Sequence, residues 1–276
     1  MNHPPAVIAK NLVVRRGSAI TVNGLSCHLR HGELTALLGP NGCGKTTFAR
    51  CILGMSFFGP EGSLEILGHK LGECDMRLLR KKIGFVSPTT GPEGQAMGCS
   101  CDADLSALEA VYTGFFGTIG LYEVPTDEQK KRAVEILEKI GLGHRLQVPL
   151  FALSSGEQRK CLIARAMAQK PELLILDEPT AGLDLRAREQ VLHTVEHILA
   201  GENPPAILMI THHIEELTRS TKHVIVMKQG EVLAEGKPEN VLTNENLSAA
   251  FNCKVAVRRA AGRFYAEVLP EAWLDF

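Results

Sequence analysis

Short apolar runs alternate with amphipathic stretches along most of this chain. The runs ELTALL (33–38), IGFVS (83–87), ELLILDEP (172–179) and AILMITH (206–212) are apolar over strand length, as strands buried on both faces of a parallel sheet are. Between them, RAREQVLHTVEHILA (186–200) repeats apolar positions at helical spacing, and DMRLLRKK (75–82) and IEELTRS (214–220) are also expected to be helical. Ahead of the first buried strand, VIAKNLVV (7–14) and AITVNGLSCHLR (19–30) predict an antiparallel pair that turns at RRGS. SLEIL (63–67) is expected to continue the alternating α/β series, and HVIVMKQG (223–230) with EVLAEG (231–236) to close it.

The series is interrupted once. From Pro88 to Cys101 the composition turns to Gly, Pro and small residues, which predicts a long loop or hinge. Residues 102–167 then read as mainly helical, in LSALEAVYTGFF, TDEQKKRAVEILEKIGL and SGEQRKCLIARAMAQK. An α/β core with an antiparallel β subdomain and an inserted helical subdomain is the expected architecture. It should occupy residues 5–245, followed by an extension at 246–276 with the helix NENLSAAF and the hairpin KVAVRR-AAG-RFYAEV.

The chemistry enters at GPNGCGKTT, Gly39 to Thr47, between an apolar strand and the helix-compatible TFARCIL. Glycines at 39, 42 and 44 let successive N–H groups of Gly39, Pro40, Asn41, Gly42, Cys43, Gly44, Lys45, Thr46 and Thr47, proline excepted, curl around a polyphosphate at a helix N-terminus. Lys45 supplies a point charge for the β- and γ-phosphates and Thr46 a hydroxyl for Mg²⁺. The expected core is accordingly that of a P-loop NTPase (RecA-like). ELLILDEP puts Asp177 and Glu178 at the carboxyl end of a strand, where Asp177 can hold Mg²⁺ through its water shell and Glu178 can polarise an attacking water. Cys43, beside Lys45 at the helix start, is expected either to have a lowered pKa and be the most reactive thiol, or to serve as a small residue that fits the loop.

Bulk properties narrow the setting. The net charge of −1 gives no reason to expect nucleic acid as a partner. No apolar run approaches the roughly 20 residues of a membrane helix, and MNHPPAVIAKNL lacks a basic segment followed by an apolar one. Eight scattered cysteines read as reduced thiols, so a cytoplasmic protein is expected, with Cys99 and Cys101 as ordinary loop cysteines.

LSSGEQRK, Leu153 to Lys160, resembles the LSGGQ signature of the ABC ATPases. AGLD, Ala181 to Asp184, resembles their D-loop, and ITHH sets His212 where the family has its switch histidine. The resemblance spans about residues 6 to 245 in order and spacing. YTGFFGTIGLY with LSSGEQRKCLIARAM is most similar to the members grouped with molybdate and iron-chelate uptake. The resemblance implies ATP with Mg²⁺, and catalysis by Lys45, Glu178 and His212. It also implies head-to-tail pairing, as a homodimer or with another ATPase subunit. In that pair Ser154, Ser155, Gly156 and Glu157 of one chain close on the other's ATP, with Asp184 in the D-loop. The implied role is to power separate transmembrane subunits from the inner face of the cytoplasmic membrane. The alternative is a soluble ABC ATPase in regulation, repair or translation; a P-loop kinase would need an acceptor site and lid arginines.

Three departures stand out against that family. Pro88 occupies the position of the hinge glutamine, and proline has no side-chain donor, so slow hydrolysis is expected unless Gln95 or a water substitutes. Arg16 falls where an aromatic residue stacks on adenine. Ser155 and Glu157 replace a glycine and a glutamine, and Glu157 adds a negative charge that should weaken the ATP-closed state unless it points outward.

Overall fold

The computed structural model describes residues 5–88 and 101–269. Its chain forms two compact units, one built from the chain up to Met76 and from Ala206 onward, the other from Arg77–Pro205.

In the first unit β1 (Pro5–Arg16) and β2 (Ala19–Arg30) pair antiparallel across the two-residue turn Gly17-Ser18. Gly17 takes φ +63°, the left-handed geometry that such hairpin turns require. SLEIL does not join the parallel series. Its strand β4 (Ser63–Ile66) lies antiparallel on the other side of β1, with Val7 opposite Ile66, and β5 (His69–Lys70) completes the sheet. The reason is its period: Leu64 and Ile66 are buried and Glu65 is exposed, the two-residue alternation of a half-buried strand.

The parallel element is β3 (Leu34–Leu38), flanked by β8 (Ala206–Thr211) and β9 (Thr221–Lys228), with β10 (Glu231–Gly236) antiparallel on β9. Every residue of β3 and β8 is buried, as their apolar runs predict. IEELTRS forms only a single 3₁₀ turn, Ile214–Glu216, before β9 begins. Glu216 is drawn back to Thr211, and Leu217 is buried, so the segment is used up in returning the chain to the sheet. A short α7 (Pro238–Val241) precedes α8 (Asn244–Phe251), and β11 (Val255–Ala260) pairs with β12 (Arg263–Val268).

The short helix α2 (Met76–Arg80), within DMRLLRKK, leads into the second unit, where β6 (Ile83–Val86) runs parallel to β7 (Leu173–Asp177). The helices α3 (Ala107–Phe116), α4 (Asp127–Lys139) and α5 (Ser155–Ala166) share a core that includes Ala107, Val111, Leu137, Leu142, Cys161 and Ala164. Each begins in a reciprocal capping box, Ser106 with Glu109, Thr126 with Gln129 and Ser154 with Glu157, so local sequence sets all three starts. Buried Arg165 ties α5 to α3 by donating to Thr113 Oγ1 at 2.8 Å and to the Thr118 carbonyl at 2.9 Å. The helix α6 (Leu185–Leu199) packs on α5 where Gly156 lacks a side chain; a β-carbon there would stand 2.8 Å from Ala187 Cβ.

Candidate functional site: phosphate loop and signature helix

In the first unit, the loop from Gly39 leaves β3 and opens α1 (Lys45–Ile52). Two glycines are required by close backbone approach. A β-carbon on Gly39 would lie 2.4 Å from the Met227 carbonyl oxygen, and one on Gly44 would lie 2.3 Å from that of Thr21. Gly44 also takes φ +107°, which disfavours any residue with a side chain. Lys45, 5% exposed, folds back so that Nζ donates to the carbonyls of Gly39 at 2.8 Å and Pro40 at 2.9 Å. Two of its three donors hold the loop curled. The Gly230 N–H clamps the loop from outside by donating to the Cys43 carbonyl at 3.0 Å. Among the described residues, no backbone carbonyl accepts from the N–H groups of Gly42, Gly44, Lys45 or Thr46. Those donors, at the positive end of α1, suit an anion.

Cys43 departs from the expectation of a lowered pKa. It is 4% exposed, and burial pushes its thiol up, the opposing pull of Lys45 and of backbone hydrogen bonds being smaller. The desolvation of a thiolate decides over a nearby ammonium here. Arg16 is exposed at the end of β1, opposite Ala19.

His212 follows β8 directly, with its ring centroid 4.0 Å from that of His213. The turn beneath it is built around Thr211. Its hydroxyl donates to buried Glu216 Oε2 at 2.5 Å and accepts from the His213 N–H at 3.0 Å. The C-terminal hairpin grips the same turn. The Arg263 guanidinium donates to the Glu215 carbonyl, and the Ala266 N–H donates to the Glu215 carboxylate at 3.2 Å. No sequence signal marks this contact, because the residues are about fifty positions apart.

In the second unit, Asp177 ends β7 and is buried, and Glu178 follows at φ +47°. A left-handed residue with a β-carbon costs about 1–2 kcal/mol, and such strain collects at functional positions. Ser154 caps α5. The Glu157 carboxylate accepts from the Ser154 N–H at 3.0 Å, from Ser154 Oγ–H at 2.9 Å and from Arg145 Nε at 3.1 Å. The Ser154 backbone donor, with the hydroxyl and Arg145 adding to it, holds the Glu157 carboxyl below the usual carboxylate range. The negative charge foreseen at Glu157 is thus tied to Arg145, a partner no sequence pattern named. Ser155 is exposed. Asp184 caps α6 by accepting from the Ala187 N–H at 2.8 Å. Pro88 is half-buried after Ser87; Gln95 and Cys99 lie outside the described residues.

The Thr46 hydroxyl and the Asp177 carboxylate are hard oxygen donors, the chemistry that Mg²⁺ selects. Among the described residues no helix is long and apolar enough to cross a membrane.

The family model described as ABC transporter matches residues 22–181. An uncharacterized ABC transporter ATP-binding protein of Bacillus subtilis (strain 168), YlmA, is 36% identical over 248 residues, covering 90% of this chain and 91% of that one. A putative ABC transporter ATP-binding protein of Streptococcus mutans is 34% identical, covering 90% and 92%. Among solved structures, an inward-facing putative metal-chelate type ABC transporter aligns with TM-score 0.76 and 25% identity over 97% of this chain and 98% of that one. A dimeric ATP-binding cassette in a post-hydrolysis state with ADP and phosphate aligns with TM-score 0.68 and 27% identity, over 84% and 98%. With the family model matched over more than half its length, this chain belongs to the ABC transporter family of ATP-binding, ATP-hydrolysing proteins.

Proposed function

We propose that this chain is the energising subunit of a membrane transporter, acting as a head-to-tail homodimer that closes on ATP and drives separate transmembrane subunits. The observation that carries the reading is the curled phosphate loop, with its row of N–H groups lacking backbone acceptors at the start of α1. Lys45 would exchange its Gly39 and Pro40 carbonyls for the β- and γ-phosphates, a trade of neutral acceptors for charged ones. Arg16 would stack on the adenine, its guanidinium plane replacing an aromatic ring.

Thr46 and Asp177 would hold Mg²⁺, which when bound neutralises charge on the phosphates. Glu178 would accept a hydrogen bond from the attacking water, and His212 would contact the γ-phosphate. Ser154, Ser155 and the first N–H groups of α5, with Glu157 beside them and Asp184 nearby, would complete the partner chain's site. Residues 5–245 would form the ATPase domain, with a helical part at about 102–167 and an extension at 246–276. The chain would work at the inner face of the cytoplasmic membrane. The similarity to a metal-chelate type transporter supports placing it near the chelate-uptake branch.

Glu178→Gln tests the assignment without altering backbone strain, since glutamine has the same shape at φ +47°. The variant should lose at least a hundredfold in ATP turnover. It should also elute as a dimer with MgATP and as a monomer without it. Monomer elution in both conditions together with wild-type hydrolysis would remove Glu178 from the mechanism.

A further inference from the structure

The phosphate loop is held in its curve from two sides. From inside, Lys45 Nζ donates to the Gly39 and Pro40 carbonyls. From outside, the tip of the β9–β10 hairpin meets the loop at Gly39, where a β-carbon would stand 2.4 Å from the Met227 carbonyl oxygen. It meets the loop again at Cys43, whose carbonyl accepts from the Gly230 N–H at 3.0 Å. The two holds differ in how long they last. Once Lys45 turns to the phosphates it gives up its carbonyls, whereas the outer hydrogen bond uses no group that a nucleotide would take. The curve of the occupied loop therefore depends on the hairpin tip.

That tip is the two-residue turn Gln229-Gly230 between paired Lys228 and Glu231, and both turn residues take a left-handed φ, +49° and +87°. Hairpin tips are ordinarily mobile, but this one is fastened on both shoulders. On one side Asn23 of β2 grips it twice. The Asn23 N–H donates to the Gly230 carbonyl at 2.8 Å, and the side-chain amide donates to Glu231 Oε1 at 2.5 Å. Gly230 is pressed so close that a β-carbon would stand 3.1 Å from the Asn23 nitrogen. On the other side Lys228 Nζ donates to the Ala249 carbonyl at 2.5 Å and to Asn252 Oδ1 at 2.6 Å, at the end of α8. Asn23 and Glu231 are exposed, so their bond adds little to folding stability. What it does is fix the peptide whose N–H reaches the loop.

We propose that Asn23 is a positioning residue for nucleotide binding, resting on the reading of residues 39–47 as the ATP phosphate site. Through Glu231 and Gly230 it holds the outer clamp on the Cys43 carbonyl, so that the loop meets the phosphates already curved. Order missing before binding has to be regained from binding energy, which weakens affinity but leaves the complex, once formed, able to react. Because Lys228 holds the other shoulder independently, loss of the Asn23 side chain loosens the turn without freeing it.

Steady-state hydrolysis by the full chain over an MgATP series, with calorimetric titration by ADP, tests this in Asn23→Ala. Glu231→Ala cuts the same bond from the other end and carries the test if Asn23→Ala fails to fold. Each should raise KM for ATP and Kd for ADP roughly three- to tenfold, with kcat within about twofold and the melting temperature nearly kept. A side chain that served the fold alone would do the reverse, lowering the melting temperature and the active fraction, hence kcat, at unchanged KM. Asn23→Asp alone sets two carboxylates face to face and should resemble Asn23→Ala. Joined with Glu231→Gln, which supplies donors, it remakes the bond in the opposite sense and should return KM to near wild type. Unchanged KM and Kd in either alanine variant, or no recovery in Asn23→Asp with Glu231→Gln, overturns the proposal. Lys45→Ala separates the two readings. If that variant binds ADP as wild type does, the phosphate-loop reading falls and this proposal with it. Loss of ADP binding in Lys45→Ala beside unchanged affinity in Asn23→Ala refutes the role of Asn23 alone.

Discussion

Replacing Glu157 by glutamine should push two measurable quantities in opposite directions. In the folded subunit the carboxylate accepts from both donors of Ser154 and from Arg145 Nε. Glutamine keeps an oxygen for Ser154, so the cap survives, but its bonds change from charge-assisted to neutral. That change costs about 1 kcal/mol. The Arg145 pair is partly exposed and contributes about 0.2–1 kcal/mol, which is lost as well. The favourable alignment of a negative charge with the start of α5 overlaps these terms and is not added. A total of about 1–2 kcal/mol corresponds to a melting temperature roughly 2–6 °C lower.

The dependence on pH follows from the depressed carboxyl of Glu157. A group whose folded pKa is lowered contributes stability above its unfolded value and loses it as pH falls through the folded value. The gap between wild type and Glu157→Gln should therefore be full at neutral pH and close in acid.

The ATP-closed dimer should respond the other way. If α5 faces the partner's nucleotide, the carboxylate repels the phosphates, and it also holds the Ser154 hydroxyl that would donate to them. Two unit charges about 10 Å apart at an effective dielectric of about 20 repel by about 1.7 kcal/mol. Screening at physiological salt reduces this, so the mutant should dimerise at a three- to tenfold lower ATP concentration. The assay is calorimetric melting in parallel with size-exclusion chromatography over an ATP series, both in a Glu178→Gln background. An unchanged melting temperature would refute the energetics assigned to the cap. A lowered one with an unchanged ATP requirement would refute the placement of the signature helix against the partner's phosphates.

Two other expectations follow from single residues. Brief alkylation read by mass spectrometry should label half-buried Cys74 and Cys253 ahead of Cys43, whose burial raises its thiol pKa; faster labelling of Cys43 would mean the loop opens readily in solution. Pro88→Gln should raise steady-state ATP turnover, by up to about 10²–10³-fold if one positioned polar contact is restored, and a level or lower rate would show that water positioning does not pass through residue 88.

The parallel strands and the phosphate loop were legible because their signals are local: five consecutive buried positions in β3, and glycines that the backbone itself requires at 39 and 44. The three capped helices were equally legible, since Ser106, Thr126 and Ser154 each stand three residues before the side chain that answers them. What escaped depends on partners distant in the chain. SLEIL carries the two-residue period of a half-buried strand, but only its register against Val7 to Lys10 decides which sheet it joins. IEELTRS has helical composition, yet the hydrogen bond from Thr211 to Glu216 turns it back before a second turn can form. Cys43 shows the same limit in electrostatics. The neighbouring lysine is visible in sequence, whereas the burial of the thiol that outweighs it is set by the folded loop.

The grip of the C-terminal hairpin on the turn after His212 belongs with these distant effects and has a physical consequence. Glu215 is held from both ends, by Arg263 on its carbonyl and by the Ala266 N–H on its carboxylate. Glu216 is held from the other side by Thr211. If His212 contacts the γ-phosphate as proposed, it gains from such a support, because side-chain freedom left at the site would have to be removed on each catalytic cycle. Residues 255–268 would therefore share in the geometry of the proposed site although they carry none of its motifs, since the extension at 246–276 is tied to Glu215 in the turn that follows His212.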